Sequence, residues 1–487
     1  TALGAVYPVR AVIVCTGTYL AGKVFIGEFT QESGPDGCHP AKPLGQSLRA
    51  LGLPLRRFKT GTPARVNRDS IDLDALEIQP GDETILPFSD DTPEQSLQNK
   101  LVCHIAYTNE TTHEIIRRNL GRSPLFSGVI EGIGPRYCPS IEDKVVRFAD
   151  KKRHQLFIEP MGEHTREMYL QGMSSSLPFE VQLEFYHSIK GFERVQVMRP
   201  AYAIEYDCID PLALWPTLES KTVAGLYGAG QFNGTSGYEE AAAQGLIAGI
   251  NATHRLRGKP QIVLSRDQAY IGTLIDDLVT KGASEPYRMM TSRSEYRLLL
   301  RQDNAATRLT AIGREVGLIS DARWTRFLAR EELRAAERRR LDGMVLAPSR
   351  ELNALLEGLG TAPLTTGIRL SELLRRPQVT LALLGPFDPD RPALPAAVAD
   401  QLEIEIKYEG YIDKQRAQAE RMQKYRAMSL SGMDFSAVHG LRNEAREKLL
   451  RIRPENLGQA MNISGVSPAD VSLLLLELSR QKREGIQ

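Results

Sequence analysis

At 487 residues, with 42% hydrophobic and 25% charged side chains, the chain has material for about three soluble globular domains. Lysine and arginine number 61 against 60 aspartate and glutamate, so a net charge of +1 excludes a strongly basic or acidic protein and makes any nucleic-acid surface a local one. Five cysteines with no CxxC pair argue against zinc and against a disulfide scaffold. No apolar run reaches the roughly 18 residues of a membrane span, and no signal peptide is expected. These features predict a cytoplasmic protein in a reducing compartment, with no metal and no membrane contact.

In chain order, Arg10 to Thr18 (RAVIVCTGT) is an apolar run ended by Thr16-Gly17, read as a central parallel strand leading into a site or as an ordinary core strand. Pro43 to Leu51 reads as a short helix after a loop rich in glycine and proline. Leu55 to Asn67 (LRRFKTGTPARVN) is basic, and it either approaches a phosphate or forms a solvated turn. Residues from about Arg65 to Pro216 alternate strands and turns. Within them Gly132 to Phe148 (GIGPRYCPSIEDKVVRF) places Cys138 just before a helix opened by Pro139, with Ser140, Glu142 and Asp143 in its first turn. Arg136 and a helix N-terminus lower a thiol pKa, which suits a nucleophile; the alternative is a half-buried cysteine in a tight turn.

Leu226 to Ile250 (LYGAGQFNGTSGYEEAAAQGLIAGI) is a strand, a glycine-rich turn and a helix whose positive end faces the turn. It serves either a cofactor or plain packing. From about Leu274 the pattern is helical. Arg293, Arg297 and Arg301, then Arg326, Arg330, Arg334 and Arg338, recur every four residues, giving basic stripes for phosphates or salt-bridged solvent faces. Leu402 to Tyr411 alternates like a strand yet leads into a helix, and periodicity leaves it open. Two helices are expected in the last 55 residues, near Asn443 to Arg451 and after Ser467-Pro468. Leu473 to Leu476 is an apolar block, suited to a core or to a partner surface.

The stretches GIGPRYCPSIEDKVVRFADKKRHQLFIEP, MSSSLPFEVQ, RPAYAIEYD, GAGQFNGTSGYEEAAAQG, EPYRMMTSRSEYRLLLRQDNA, IKYEGYIDKQ and LGQAMNISGVSPADVSLLL follow one another in order along nearly the whole chain. Together they closely resemble the bacterial tRNA uridine 5-carboxymethylaminomethyl modification enzymes, the MnmG or GidA family. The resemblance implies an α/β FAD-binding, two-dinucleotide-binding Rossmann-like domain with an inserted α+β domain, followed by an all-α C-terminal region. It implies an FAD- and NADH-dependent homodimer that acts with the GTPase MnmE, as two copies of each, on the wobble uridine of tRNA. Methylene-tetrahydrofolate supplies the one-carbon unit.

By the same resemblance, Gln231 contacts FAD, and Gly228, Gly230, Asn233 and Gly234 line its ring and ribityl side. The proposed NADH segment is Gly134, Pro135, Arg136, Tyr137, Cys138, Pro139, Ser140, Ile141, Glu142, Asp143, Lys144, Val145, Val146, Arg147 and Phe148, with Cys138 and Arg136 as catalytic residues. Arg288, Arg293 and Glu444 are assigned to tRNA or MnmE. A serine that contacts FAD in some members falls at Ala41. The implied domains are 1–64 and 216–256 for FAD, 65–215 for NADH, 257–410 as a helical tRNA-binding region, and 411–487 as the MnmE- and tRNA-binding end. The family's upstream strand, its GxGxxG turn and a second cysteine are not in this sequence, so the chain as written is expected to hold FAD poorly. The alternatives are a folate- and FAD-dependent tRNA uridine methyltransferase relative, or a non-catalytic module that binds tRNA and MnmE.

Overall fold

The structure is a computed structural model that describes residues 4–89, 91–92, 97–137 and 139–483. It divides into two compact units, Thr1–Ile262 with Asp277–Arg288, and Val263–Asp276 with Met289–Gln487.

The first unit contains β1 (Val12–Val14), β2 (Lys23–Ile26), β3 (Phe29–Glu32), α1 (Lys42–Ala50), β4 (Leu55–Thr62), β5 (Arg65–Asn67), β6 (Glu77–Gln79), β7 (Cys103–Tyr107), α2 (Glu110–Arg118) and α3 (Ile141–Arg147). It continues with β8 (Gln155–Pro160), β9 (Glu167–Gln171), α4 (Phe179–His187), β10 (Val197–Arg199), β11 (Tyr202–Ile209), β12 (Leu226–Gly228) and α5 (Tyr238–Leu256). An antiparallel sheet in the order β3-β2-β11-β4 has β11 at its centre. A second antiparallel sheet runs β10-β5-β9-β8-β7-β6. Its apolar face, with Val66, Ile158, Met168 and Leu170, packs against Ile115 and Ile116 of α2, Ile141 and Val145 of α3, and Phe185 of α4. Asn109 and Thr112 cap α2 reciprocally, which satisfies amides that the first turn leaves without partners.

Leu55 to Thr62 is therefore a strand paired along its length with β11, not a solvated turn. Both Phe58 and Lys59 are buried. β11 also buries two carboxylates in an apolar strand. Arg57 reaches Glu205 at 3.3 Å and Asp207 at 3.2 Å, and Arg49 of α1 reaches Asp207 at 2.7 Å, so both charges are compensated.

β1 pairs in parallel with β12 alone among the described residues. The strand expected over Arg10 to Thr18 is three residues long, and Val12 and Ile13 are exposed rather than buried. An apolar run marks a strand but does not supply the layers that cover it.

The boundary between the units passes through α6 (Tyr270–Lys281). The second unit is helical: α7 (Ala305–Glu315), α8 (Asp321–Gly343), α9 (Arg350–Gly358), α10 (Leu370–Leu374), α11 (Leu381–Leu384), α12 (Ala396–Lys407), α13 (Glu409–Arg426), α14 (Asn443–Ile452), α15 (Leu457–Asn462) and α16 (Pro468–Arg483). A minimal pair, β13 (Val345–Leu346) with β14 (Ile368–Arg369), closes the loop after α8. Leu341, Leu352, Leu356, Leu370, Leu402 and Ile406 share one core there. The alternating stretch from Leu402 is helical, because Val398, Leu402 and Ile406 are buried at four-residue spacing. The end of the chain holds a third helix, α15, whose signal is the Asn456 cap accepting from the Gln459 amide. In α16, Leu474 is core and Leu476 is exposed.

Candidate active site

β1 and β12 run parallel, so their C-terminal ends open on the same edge, where ligands of such sheets collect. Thr16-Gly17 leaves β1 there, and a short 3₁₀ turn, Gly230–Asn233, leaves β12. Gly17 has φ +56° and a Cβ on it would lie 3.4 Å from the Gln231 amide oxygen, so the two turns face each other closely. The side chain of Gln231 has no hydrogen-bond partner among the described residues, and the buried Thr16 hydroxyl has none either. Two open polar groups beside backbone of positive φ, at Gly17 and at Gly230 with φ +71°, form a cradle that a polar ring edge would complete.

Asn233 turns inward. Its amide nitrogen donates to Gln244 at 2.8 Å, and Gln244 in turn donates to Thr235 at 3.1 Å. A Cβ on Gly228 would overlap the Asn233 amide oxygen. Gly234, at φ +81°, ends the turn, and a Cβ on it would lie 3.3 Å from the Phe58 ring and from Ala283.

The α5 N-terminus, expected to face the glycine turn with its positive end, is instead covered by its own acidic side chain. The Glu240 carboxylate lies against Gly237, where a Cβ would overlap it, and Arg288 holds that carboxylate at 3.2 Å. A helix end already neutralised by a carboxylate is a poor seat for a phosphate.

A second site lies where β4 meets the segment before α3. Phe58 bridges to Ile133, and the Lys59 amide donates to the Ile133 carbonyl at 3.0 Å. Glu205 fixes that segment from below, its carboxylate accepting from the amides of Glu131 at 2.7 Å and Gly132 at 2.6 Å. Ser140 caps α3 by accepting from the Asp143 amide at 3.3 Å, as its place before Ile141 predicts. Buried Glu142 accepts from the Ser176 amide at 2.8 Å and from its hydroxyl at 3.1 Å.

The resulting cavity of about 300 Å³ is lined by Lys59, Gly61, Gly134, Pro135, Arg136, Pro139, Ser140, Asp143, Arg147, Ser174 and Glu285, among others. Arg136 pairs with Glu285 at 3.4 Å and Arg147 with Asp143 at 3.5 Å. Lys144 turns away to donate to the Gly172 carbonyl at 3.0 Å. Ile141 and Val145 face the core, while Tyr137, Val146 and Phe148 are exposed. Cys138 lies outside the described residues. Sequence reading passed over Glu205, and it met Lys59 only as one of several basic residues in the stretch Leu55 to Asn67, read as approaching a phosphate or forming a solvated turn. The signal for Glu205 was a carboxylate set among the apolar residues of YAIEYDCI; Lys59 stood among other basic residues in LRRFKTGT, and only its burial sets it apart.

The remaining sequence candidates are dispersed. Arg293 ends the short turn Thr291–Arg293, and the turns that follow take Arg293, Arg297 and Arg301 off any common helical face; Arg301 is committed to Asp303 at 3.0 Å. On α8, Arg334 pairs with Glu331 and Glu405, and Arg338 with Asp342 and Glu409, so these two serve ion pairs within the helical unit. Glu444, in the first turn of α14, pairs with Lys448 at 2.6 Å. Cys103 and His104 are neighbours on β7 and point to opposite faces. Burial pushes the Cys208 thiol up to about 12. Among the described residues no group of three or more His, Cys, Asp or Glu could hold a metal ion, and no helix is long and apolar enough to cross a membrane.

Comparison with known proteins settles what this architecture is. The family described as glucose inhibited division protein A matches residues 1–260. Two further models, the C-terminal helical domain and the C-terminal helical bundle of the tRNA modifying enzyme MnmG/GidA, match 321–416 and 418–486. The chain belongs to the MnmG/GidA family. Its relatives include the tRNA uridine 5-carboxymethylaminomethyl modification enzyme MnmG of Caldicellulosiruptor saccharolyticus, 56% identical over 481 residues, 99% of this chain and 77% of that protein. The enzyme of the same name from Lachnoclostridium phytofermentans is 54% identical over 483 residues, with the same coverage. Among solved structures, Aquifex aeolicus GidA in its form I crystal superposes with a TM-score of 0.87 at 44% identity, covering 98% of this chain and 77% of that one. The MnmG/GidA fold is thus an α/β domain of FAD-binding type with an inserted α+β sheet, followed by a helical C-terminal region.

Proposed function

We propose that this chain is an FAD-dependent tRNA-modifying enzyme. With the GTPase MnmE it adds an aminomethyl or carboxymethylaminomethyl group to carbon five of the wobble uridine, taking one carbon from methylene-tetrahydrofolate and reducing equivalents from NADH. The observation that carries this reading is 56% identity across 99% of the chain to a relative named for that modification. The open edge of the β1-β12 pair supports the flavin, since Gly17 and Gly230 permit close backbone approach and Thr16 and Gln231 have hydrogen-bonding groups to offer it. When bound, the flavin supplies the redox and one-carbon chemistry.

The chain's own residues bind and orient. On this reading residues 134–148 hold the reduced dinucleotide, with Arg136 at the mouth of the cavity, and Cys138 assists at carbon six of the uracil as a thiolate. Arg288, Arg293 and Glu444 face tRNA or MnmE, two copies of each protein assemble, and the work is cytoplasmic. The substrate base leaves the anticodon stack to reach the site, at small cost in a loop.

The test supplies purified chain with MnmE, GTP, excess FAD, NADH, methylene-tetrahydrofolate and glycine or ammonium, and reads tRNA nucleosides by mass spectrometry. The expected product is the modified wobble uridine; unmodified uridine with flavin bound refutes the reading, and unmodified uridine without bound flavin but with tRNA and MnmE bound favours the non-catalytic module. A Cys138→Ser variant with unchanged yield would remove that thiol from the mechanism.

A further inference from the structure

Of the three cations lining the cavity beside α3, two are accounted for. Arg136 and Arg147 are largely exposed and pair with Glu285 and Asp143. Lys59 is different. It is 6% exposed, and its ammonium has no hydrogen bond and no ion pair within 4.0 Å among the described residues. The carboxylates nearest in effect, Glu142 and Asp143, act from beyond pairing distance, and Glu142 is already committed to Ser176. Gly134 closes over the lysine stem, where a Cβ would lie 3.3 Å from Cδ.

A buried ammonium with unmet donors is costly, and sequences retain such a group where something supplies the missing acceptors. Among the described residues the cavity's charged lining is three cations against two carboxylates, so the acceptor it favours is an anion. A compact point charge at the floor, with two guanidinium groups toward the mouth, suits a phosphate.

We infer that Lys59 is the anion-binding residue of this cavity and takes a phosphate oxygen of a ligand entering beside Gly134 and Arg136. The phosphate comes from a dinucleotide or from an RNA backbone. The choice of dinucleotide as a probe rests on the reading of residues 134–148 given above; the role of Lys59 does not. Burial also holds the lysine pKa below its ordinary value, the direction expected of an amine kept without a partner.

The experiment compares the whole chain with K59M and K59R, using inorganic pyrophosphate, NADH and an anticodon stem-loop RNA as probes, by calorimetric titration and thermal shift. K59M is expected to weaken pyrophosphate binding about tenfold or more. Without ligand it should melt at or above the wild-type temperature, because an unpaired buried charge has been removed. K59R should retain part of the affinity. Parallel loss for NADH with RNA unchanged assigns the phosphate to the dinucleotide, and the reverse assigns it to RNA. If wild type binds pyrophosphate through Lys59 yet ignores NADH, the dinucleotide reading fails and the role of Lys59 stands. Unchanged affinity for all three probes, wild type binding none of them, or a ligand-free K59M melting several degrees lower would each overturn the inference, the last by marking Lys59 as structural.

Discussion

Gly228 has no room for a side chain. An added Cβ would overlap the Asn233 amide oxygen and approach the Phe232 ring to 2.9 Å, so Gly228→Ala is expected to cost about 1–3 kcal/mol, measured by denaturant unfolding. His113 makes a different kind of prediction. Burial first, and then the neighbouring His154 ring, lower its pKa from the ordinary 6.5 to about 4, while the Thr108 hydroxyl lies 2.8 Å from its Nε2. Between those two values the unfolded chain binds a proton that the folded chain refuses. Stability should therefore fall as pH drops from 6.5 toward 4 and level off below. His113→Asn should flatten that slope in a series of unfolding midpoints against pH, and an unchanged slope would exclude His113 as its source. At this scale the glycines and caps were legible from residue type, since their roles are local. Glu205 was not, and Lys59 was legible only as part of a basic stretch, because their meaning lies in what packs around a charged residue in a strand.

Among the elements, α8 shows how one periodicity supports two readings. Arginine every fourth residue suits a nucleic-acid stripe or a salt-bridged face, and what decides is the position of carboxylates on other helices. Glu405 of α12 meets Arg334 at 2.6 Å and Glu409 of α13 meets Arg338 at 2.5 Å, so both arginines are packing residues. Arg334→Gln should cost about 1–3 kcal/mol of stability, with both partners about one-fifth exposed, and leave tRNA affinity in a filter-binding assay unchanged. A loss of affinity without a loss of stability would restore the stripe reading. The stretch from Leu402 posed the same problem: every second residue and every fourth residue are apolar at once, and only burial against α8 and α10 selects the helix.

At the scale of the whole molecule, each unit has its own core, and the helical one is built on leucine. Leu370 is fully buried there, and Leu370→Ala should cost about 2–5 kcal/mol, read as a shift in the unfolding transition. Little or no shift would mean that this core is not cooperative. The near-balance of charge acquires a structural meaning here, because much of the arginine is spent within the fold. Arg57 serves the β11 carboxylates, Arg334 and Arg338 join α8 to its neighbours, and Arg340 holds Asp388.

By itself the sequence determined the family, the order of α/β and helical regions, and the glycine turn after β12. Those properties live in long ordered matches and in residues whose backbone preferences are local. Tertiary structure alone decided that β4 is a buried strand, that Glu240 covers the α5 N-terminus, and that the Lys59 ammonium is left without a partner among the described residues. Each of these depends on contacts between residues far apart in the chain, such as Lys59 with Ile133 and Glu240 with Arg288, and no window of sequence contains both sides of them.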